Sequence, residues 1–171
     1  MSISKVKFRK CFFVLIITIC NTHAANLTGT VVAVADGDTI TVLDSNNRKH
    51  RIRLVGIDAP EKSQSYGQRS KHSLSELVYD KTVTIQYEKK DRYGRTLGKV
   101  LVDGKDVNLL QIMRGMAWWY RAYKQDQTID DRLRYEATEH AAILAKVGLW
   151  AEKSPIPPWE FRRTKRLVSS P

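Results

Sequence analysis

Apolar and polar residues alternate in five short stretches of the chain, at about 27–35, 39–43, 49–55, 82–87 and 96–102, all rich in Val, Ile and Thr. Val83, Ile85 and Tyr87 fall on one side of their stretch and Thr82, Thr84 and Gln86 on the other, and Ile40 with Val42 and Ile52 with Leu54 repeat the same period. A period of two is that of a pleated strand with one buried face, so these segments predict antiparallel strands. The breaks between them, Asp36-Gly37, Asn46-Asn47, Tyr93-Gly94 and Asp103-Gly104, carry residues that tolerate positive φ and suit tight turns. Helical spacing appears in three places: Leu74, Leu77 and Val78 within 68–79, Leu109, Leu110 and Met113 within 107–114, and a stripe of Leu133, Ala137, Ala141 and Leu144 from residue 130 or 131 to 147. Gly115 and Gly148 are suited to end the second and third helices, and acidic residues open the third. Three strands, a helix and two more strands is the order of an OB-type barrel. The fold class predicted is therefore α+β, an OB-type five-stranded antiparallel β-barrel with about three packed α-helices.

The chain ends carry different patterns. Lys5, Lys7, Arg9 and Lys10 precede a mostly apolar run over 11–20, followed by Asn21-Thr22-His23-Ala24. That is the make-up of a secretory signal peptide over 1–24, cut after Ala24, and the run is well short of the ~20 residues a spanning helix needs. After cleavage no membrane span is expected, and the destination is the periplasm or the medium. Residues 25–153 then form one domain, and 154–171, with Pro155, Pro157 and Pro158 before Arg162, Arg163, Lys165 and Arg166, reads as a partly extended basic tail.

Charge narrows the partners without choosing among them. The chain has 29 basic and 18 acidic residues, and the leader removes four basic and no acidic ones, so the remainder carries +7. Excess positive charge on an exported protein favours polyanions, either nucleic acid or an anionic membrane surface. Both cysteines, Cys11 and Cys20, leave with the leader. The domain must then be held by its core rather than by disulfides. Nothing in the sequence implies a stable protein partner, and a monomer is expected.

Chemistry concentrates at the strand ends. Asp36-Gly37-Asp38 sets two carboxylates about one glycine between the first two strands, and Leu54-Val55-Gly56-Ile57 runs out of a strand into Asp58-Ala59-Pro60-Glu61. A hard divalent cation takes carboxylates, main-chain carbonyls and waters, and Asp38 and Asp58 would supply two such ligands from adjacent strands. The lack of cysteine after cleavage and the scatter of His50, His72 and His140 argue against zinc. Arg53 lies on the strand face opposite Ile52 and Leu54, where its fork reaches a phosphate held at Asp58, and Arg95 offers the same from Asp91-Arg92-Tyr93-Gly94-Arg95.

These three motifs, in this order, resemble the staphylococcal nuclease (thermonuclease) family, over about 31–150. The later segments Val107-Asn108, Gly115-Met116-Ala117 and Gly148-Leu149-Trp150 are similar as well. The resemblance implies a Ca²⁺-dependent endonuclease acting on DNA and RNA with little sequence preference and leaving 3′-phosphates. It implies Asp38 and Asp58 as carboxylate ligands, the main-chain carbonyl of Ala59 as a third, and Asp36 behind them. Glu61 matches the glutamate proposed as general base, and Arg53 and Arg95 match the arginines that stabilise the pentacoordinate phosphorus. Tyr93 and Tyr123 match aromatics of the nucleotide pocket and either stack on a base, bond a phosphate or pack. The loop between Glu61 and Tyr66-Gly67 is shorter than the family's best-known form, and Trp118-Trp119 has no counterpart there; at least one of the pair is expected to be buried. The rival reading is a noncatalytic OB-fold protein that binds single-stranded nucleic acid; it leaves unexplained why carboxylates would face a phosphate backbone without a cation between them.

Overall fold

The computed structural model describes residues 25–169, with the side chain of Ser169 excepted. The signal peptide expected over 1–24 lies outside the described residues. Eight strands form, β1 (Ala25–Asp36), β2 (Thr39–Asp44), β3 (Lys49–Leu54), β4 (Ile57–Asp58), β5 (Thr82–Lys90), β6 (Thr96–Val102), β7 (Lys105–Asp106) and β8 (Trp118–Trp119), together with helices α1 (Gly67–Val78), α2 (Val107–Met113), α3 (Ile129–Leu144) and α4 (Pro158–Ser169). β1 pairs antiparallel with both β2 and β5, β2 with β3, and β5 with β6. A parallel seam between β3 and β6 closes the five-stranded barrel. The expected OB-type α+β fold is therefore the one observed, with one parallel seam in place of a wholly antiparallel sheet. Closure removes the exposed edges an open sheet would present.

The alternating residues do what their period requires. Val31, Ile40, Val42, Ile52, Leu54, Val83, Ile85 and Val100 are buried inside the barrel, and Leu74 and Val78 of α1, Val107 and Ile112 of α2 and Tyr135 of α3 extend that core. Each such side chain contributes roughly 1.5–3 kcal/mol by leaving water, so this cluster is the main source of stability in a domain without disulfides. Trp118 and Trp119 are both buried.

Two helices present a face other than the predicted one. On α3, Leu133 and Leu144 are largely exposed, and the buried positions are Asp131, Tyr135, Glu139 and Ala142. Polar groups occupy that face because each finds a partner. Asp131 pairs with Lys99 at 2.6 Å, the Tyr135 hydroxyl donates to Asp106 at 3.0 Å, and Glu139 accepts from the Trp119 N–H at 2.9 Å and pairs with Arg121 at 2.6 Å. On α2, Met113 is exposed while Asn108 and Gln111 are wholly buried. α3 also ends at Leu144, before the predicted 147, with Lys146 rather than glycine taking the first left-handed position.

The C-terminal segment differs most. Where a partly extended basic tail was expected over 154–171, Pro158 opens the helix α4. Proline suits the first turn of a helix, where its missing N–H has no intrahelical partner to lose. Among the described residues no helix is long and apolar enough to cross a membrane.

Candidate active site

The turn between β1 and β2 is built by close approach. Asp36 pairs with Thr39, leaving Gly37 and Asp38 at the tip. Gly37 does not adopt positive φ, contrary to the expectation for its Asp-Gly break. It is glycine for want of space: a Cβ there would stand 2.7 Å from Ala59 Cβ and 2.8 Å from Ser70 Cβ. Two further contacts fasten the turn. The Gly37 carbonyl accepts from the Gln111 side-chain amide, Nε2, at 2.9 Å, and the Asp38 carbonyl accepts from the Leu54 N–H at 2.8 Å.

The second loop is held as firmly. β4 pairs with β8 so that Asp58 lies opposite Trp118 and Ile57 opposite Trp119. Asn108 donates to the Val55 carbonyl at 2.9 Å and to the Gly98 carbonyl at 3.2 Å, fixing the turn that leads from β3 to Asp58. The two loops then meet: Asp38 Oδ2 accepts from the Ala59 N–H at 2.7 Å. Arg53, between β2 and β6 in register with Thr39 and Leu97, points into the space they enclose.

Its Nη1 donates to the carbonyls of Leu54 (3.0 Å) and Ile57 (2.9 Å), while Nη2 stands 2.9 Å from Asp58 Oδ1 and 3.1 Å from Asp38 Oδ2. One guanidinium nitrogen thus touches both aspartates, which places their carboxylates side by side. Burial pushes the Asp38 carboxyl up to about 7 against the lowering by Arg53; Asp36 and Asp58 raise it further, and the Ala59 N–H lowers it. A carboxylate in that setting lacks part of the positive charge its anionic form requires.

A cleft of about 590 Å³ opens over this centre, and Asp36, Asp38, Arg53, Asp58, Ala59, Glu61, Tyr93, Arg95 and Tyr123 all line it. Every sequence-predicted site residue is therefore in one place, but not every one touches the carboxylate pair. Arg95 is turned to Asp91, with Nε and Nη2 each 2.7 Å from Oδ2. Tyr93 and Tyr123 are substantially exposed on the cleft wall, Tyr93 beneath Arg92 and Arg95, and Tyr123 against Tyr120.

Among the described residues no three His, Cys, Asp or Glu side chains gather as a ready-made metal site. What a cation would find is a pair of buried hard oxygen donors, Asp38 among them short of positive charge, beside the backbone of Ala59. That donor set fits Ca²⁺, which completes its shell with carbonyls and waters, and does not fit zinc.

Sequence reasoning missed four contributors. Asn108 and Gln111 hold the two loops from α2, and their signal was faint: amides at helical spacing among apolar neighbours. Tyr120 stacks on Trp159, ring centres 5.4 Å apart and planes at 10°. Arg162 of α4 reaches the carboxylates themselves, with Nη2 2.7 Å from Asp58 Oδ2 and Nη1 2.8 Å from Glu61 Oε1. Trp159 and Arg162, three apart after a proline, share one helix face, which is the only trace the sequence gives of that placement.

Comparison with known proteins bears on this geometry. The profile of staphylococcal nuclease homologues matches residues 51–152, more than half of the chain. The chain belongs to the staphylococcal nuclease family. It is 43% identical over 137 residues to an uncharacterized endonuclease of Haemophilus influenzae, covering 80% of this chain and 74% of that one. It is 45% identical over 142 residues to an uncharacterized endonuclease of Escherichia coli O157:H7, covering 82% and 88%. With the micrococcal nuclease of Shigella flexneri the identity is 36% over 155 residues, covering 85% and 86%. The family match takes in Arg53, Asp58, Ala59, Glu61, Tyr93, Arg95 and Tyr123, and stops short of Pro158, where α4 begins.

Proposed function

We propose that this protein is an exported, Ca²⁺-dependent endonuclease that hydrolyses phosphodiester bonds in DNA and RNA with little sequence preference, as a monomer, and leaves 3′-phosphates. The observation that carries the reading is the sharing of one Arg53 nitrogen by Asp38 and Asp58, at 3.1 and 2.9 Å, on the floor of a cleft with basic and aromatic walls. Membership of a nuclease family and the names of its relatives support the reaction class.

Asp38, Asp58 and the Ala59 carbonyl would hold the cation, which supplies positive charge against the phosphate when bound. The chain's own groups do the rest. Arg53, its Nη1 held by two main-chain carbonyls, turns its remaining N–H groups from the two aspartates to the phosphoryl oxygens, where charge grows. Arg95 exchanges Asp91 for the same phosphoryl group. Glu61 takes a proton from water as the water oxygen bonds to phosphorus and the bond to the 5′ oxygen breaks, and the departing 5′ oxygen takes a proton from solvent water. The products are a 3′-phosphate and a 5′-hydroxyl. Tyr93 and Tyr123 stand where neighbouring bases would stack.

The test is cleavage of end-labelled DNA and RNA by the purified protein, with Ca²⁺ or with a chelator, beside Asp38→Ala and Arg53→Ala. Cutting that needs Ca²⁺, leaves 3′-phosphates and fails in both variants is expected. Undiminished cutting by the variants, or cutting in chelator, would overturn the assignment.

A further inference from the structure

α4 is attached to the barrel by contacts of its own. Pro158 is buried, Trp159 lies flat on Tyr120, and Gln64 donates to the Ile156 carbonyl just ahead of the helix. Ser65 also bonds Glu152 in the segment that leads there. This docking carries Arg162 to the mouth of the cleft, where it grips both oxygens of Asp58, at 2.7 and 3.3 Å, and Glu61 at 2.8 Å. The Asp58 side chain is only 2% exposed, against 38% for Arg162.

These are the groups the proposed reaction has to use. A carboxylate has about four lone-pair positions, and Asp58 already gives one to Arg53. Arg162 takes two more, which leaves a single position on Asp58, and a cation there at ~2.4 Å would stand against the guanidinium charge that repels it. The same guanidinium takes Oε1 of Glu61 and leaves only Oε2 to accept a proton from water. Arg162 in this position and the cation therefore compete for Asp58. Trp159, one helical turn earlier, still anchors the helix when Arg162 lets go, so the released fork stays at the lip beside Tyr120, Tyr123, Lys89 and Arg92. A nucleic-acid backbone entering the cleft passes that point.

We propose that Arg162 is a substrate-binding residue with two partners: Asp58 and Glu61 when the cation is absent, and a phosphate of the nucleic acid once the cation has displaced it. The inference rests on the Ca²⁺ reading of the same site. It adds that α4, which lies beyond the family match, sets how tightly the cation is held. Removing the guanidinium frees Asp58 and Glu61 for the cation but deprives the substrate of a phosphate contact, so cation and substrate affinities move in opposite directions.

The experiment is a calorimetric titration of Ca²⁺ into the full protein and its Arg162→Gln variant, without nucleic acid, together with KM for single-stranded DNA at saturating Ca²⁺. Arg162→Gln is expected to bind Ca²⁺ roughly tenfold more tightly, as when a self-contact leaves about a tenth of the molecules open. Its KM is expected to rise roughly fivefold, the worth of one partly exposed charged contact. Unchanged Ca²⁺ affinity, or an unchanged or lower KM, would overturn the inference while leaving the nuclease reading intact. A wild-type protein that binds no Ca²⁺ sinks both. If circular dichroism shows Arg162→Gln misfolded, Arg162→Lys takes its place, since an ammonium cannot fork across Asp58 and Glu61; both changes are then expected in the same directions, and the same null results overturn the inference.

Discussion

Gln111 is the strongest test of how the fold positions the site. It is wholly buried, donates to the Gly37 carbonyl at 2.9 Å and the Ser70 carbonyl at 3.1 Å, and accepts from the Ser73 hydroxyl at 2.7 Å. Gln111→Met keeps the volume and removes all three bonds. Ser70 lies within α1, where its carbonyl has a helical acceptor role besides, and Ser73 keeps Arg114 at 3.2 Å. The Gly37 carbonyl is the group that loses most. An orphaned buried carbonyl costs about 1–3 kcal/mol and each of the two weakened bonds about 0.5–1 kcal/mol, so the variant should lose roughly 2–5 kcal/mol. For a domain of this size that is a fall in Tm on the order of 6–15 °C. Because Gly37 lies between Asp36 and Asp38, the variant should also bind Ca²⁺ more weakly than its lost stability alone implies. Thermal unfolding with and without Ca²⁺ reads both effects. A Tm within about 2 °C of wild type, with an equal Ca²⁺-induced rise, would refute the claim that α2 holds the aspartate turn.

Other outcomes follow from the same geometry. Gly37→Ala must move Ala59 or Ser70, and should cost about 1–3 kcal/mol by overpacking and reduce kcat/KM, read by unfolding and cleavage assays. Arg53→Ala should lower kcat by roughly 10²–10³-fold with a smaller change in KM, and Arg95→Ala should act in the same sense; steady-state kinetics that show only a KM effect would contradict their placement on the phosphoryl group. With the Asp38 carboxyl pushed up to about 7, the fold favours its protonated form. Its contribution to cation-free stability is present in full below the ordinary carboxylate range and is lost as pH rises through about 7, whereas Ca²⁺ binds the ionised form. The Ca²⁺-induced rise in Tm should therefore grow as pH is raised from acid through 7, and a rise independent of pH would count against Asp38 as a ligand. Tyr135→Phe removes the hydroxyl that donates to Asp106 at 3.0 Å, and should cost on the order of 1 kcal/mol in urea unfolding without altering Ca²⁺ affinity.

The barrel was legible because its strands are half buried, and an alternating pattern reports one buried face directly. Asp38, Asp58 and Arg53 were legible for a related reason: polar groups at the ends of apolar strands have few places to point except a common rim. The buried face of α3 was not. Apolar counting favours Leu133 and Leu144, whereas the fold buries Asp131 and Glu139, whose charges are met by Lys99 and Arg121 from distant parts of the chain. Asn108 and Gln111 escaped in the same way, since an amide is suited to a core only when the carbonyls it will meet are known. Arg162 was read as part of a basic tail because its partner Asp58 is 104 residues away, a separation at which local pattern carries no information.

The most direct measurement is the crystal structure of the protein with Ca²⁺ and a short single-stranded oligonucleotide, the cation located by its anomalous scattering. The expected result is one Ca²⁺ bonded to Asp38, Asp58 and the Ala59 carbonyl, a phosphate on Arg53, and Arg162 drawn away from Asp58. Calcium bound elsewhere, with Arg53 and Arg162 still closed on the two aspartates, would contradict it.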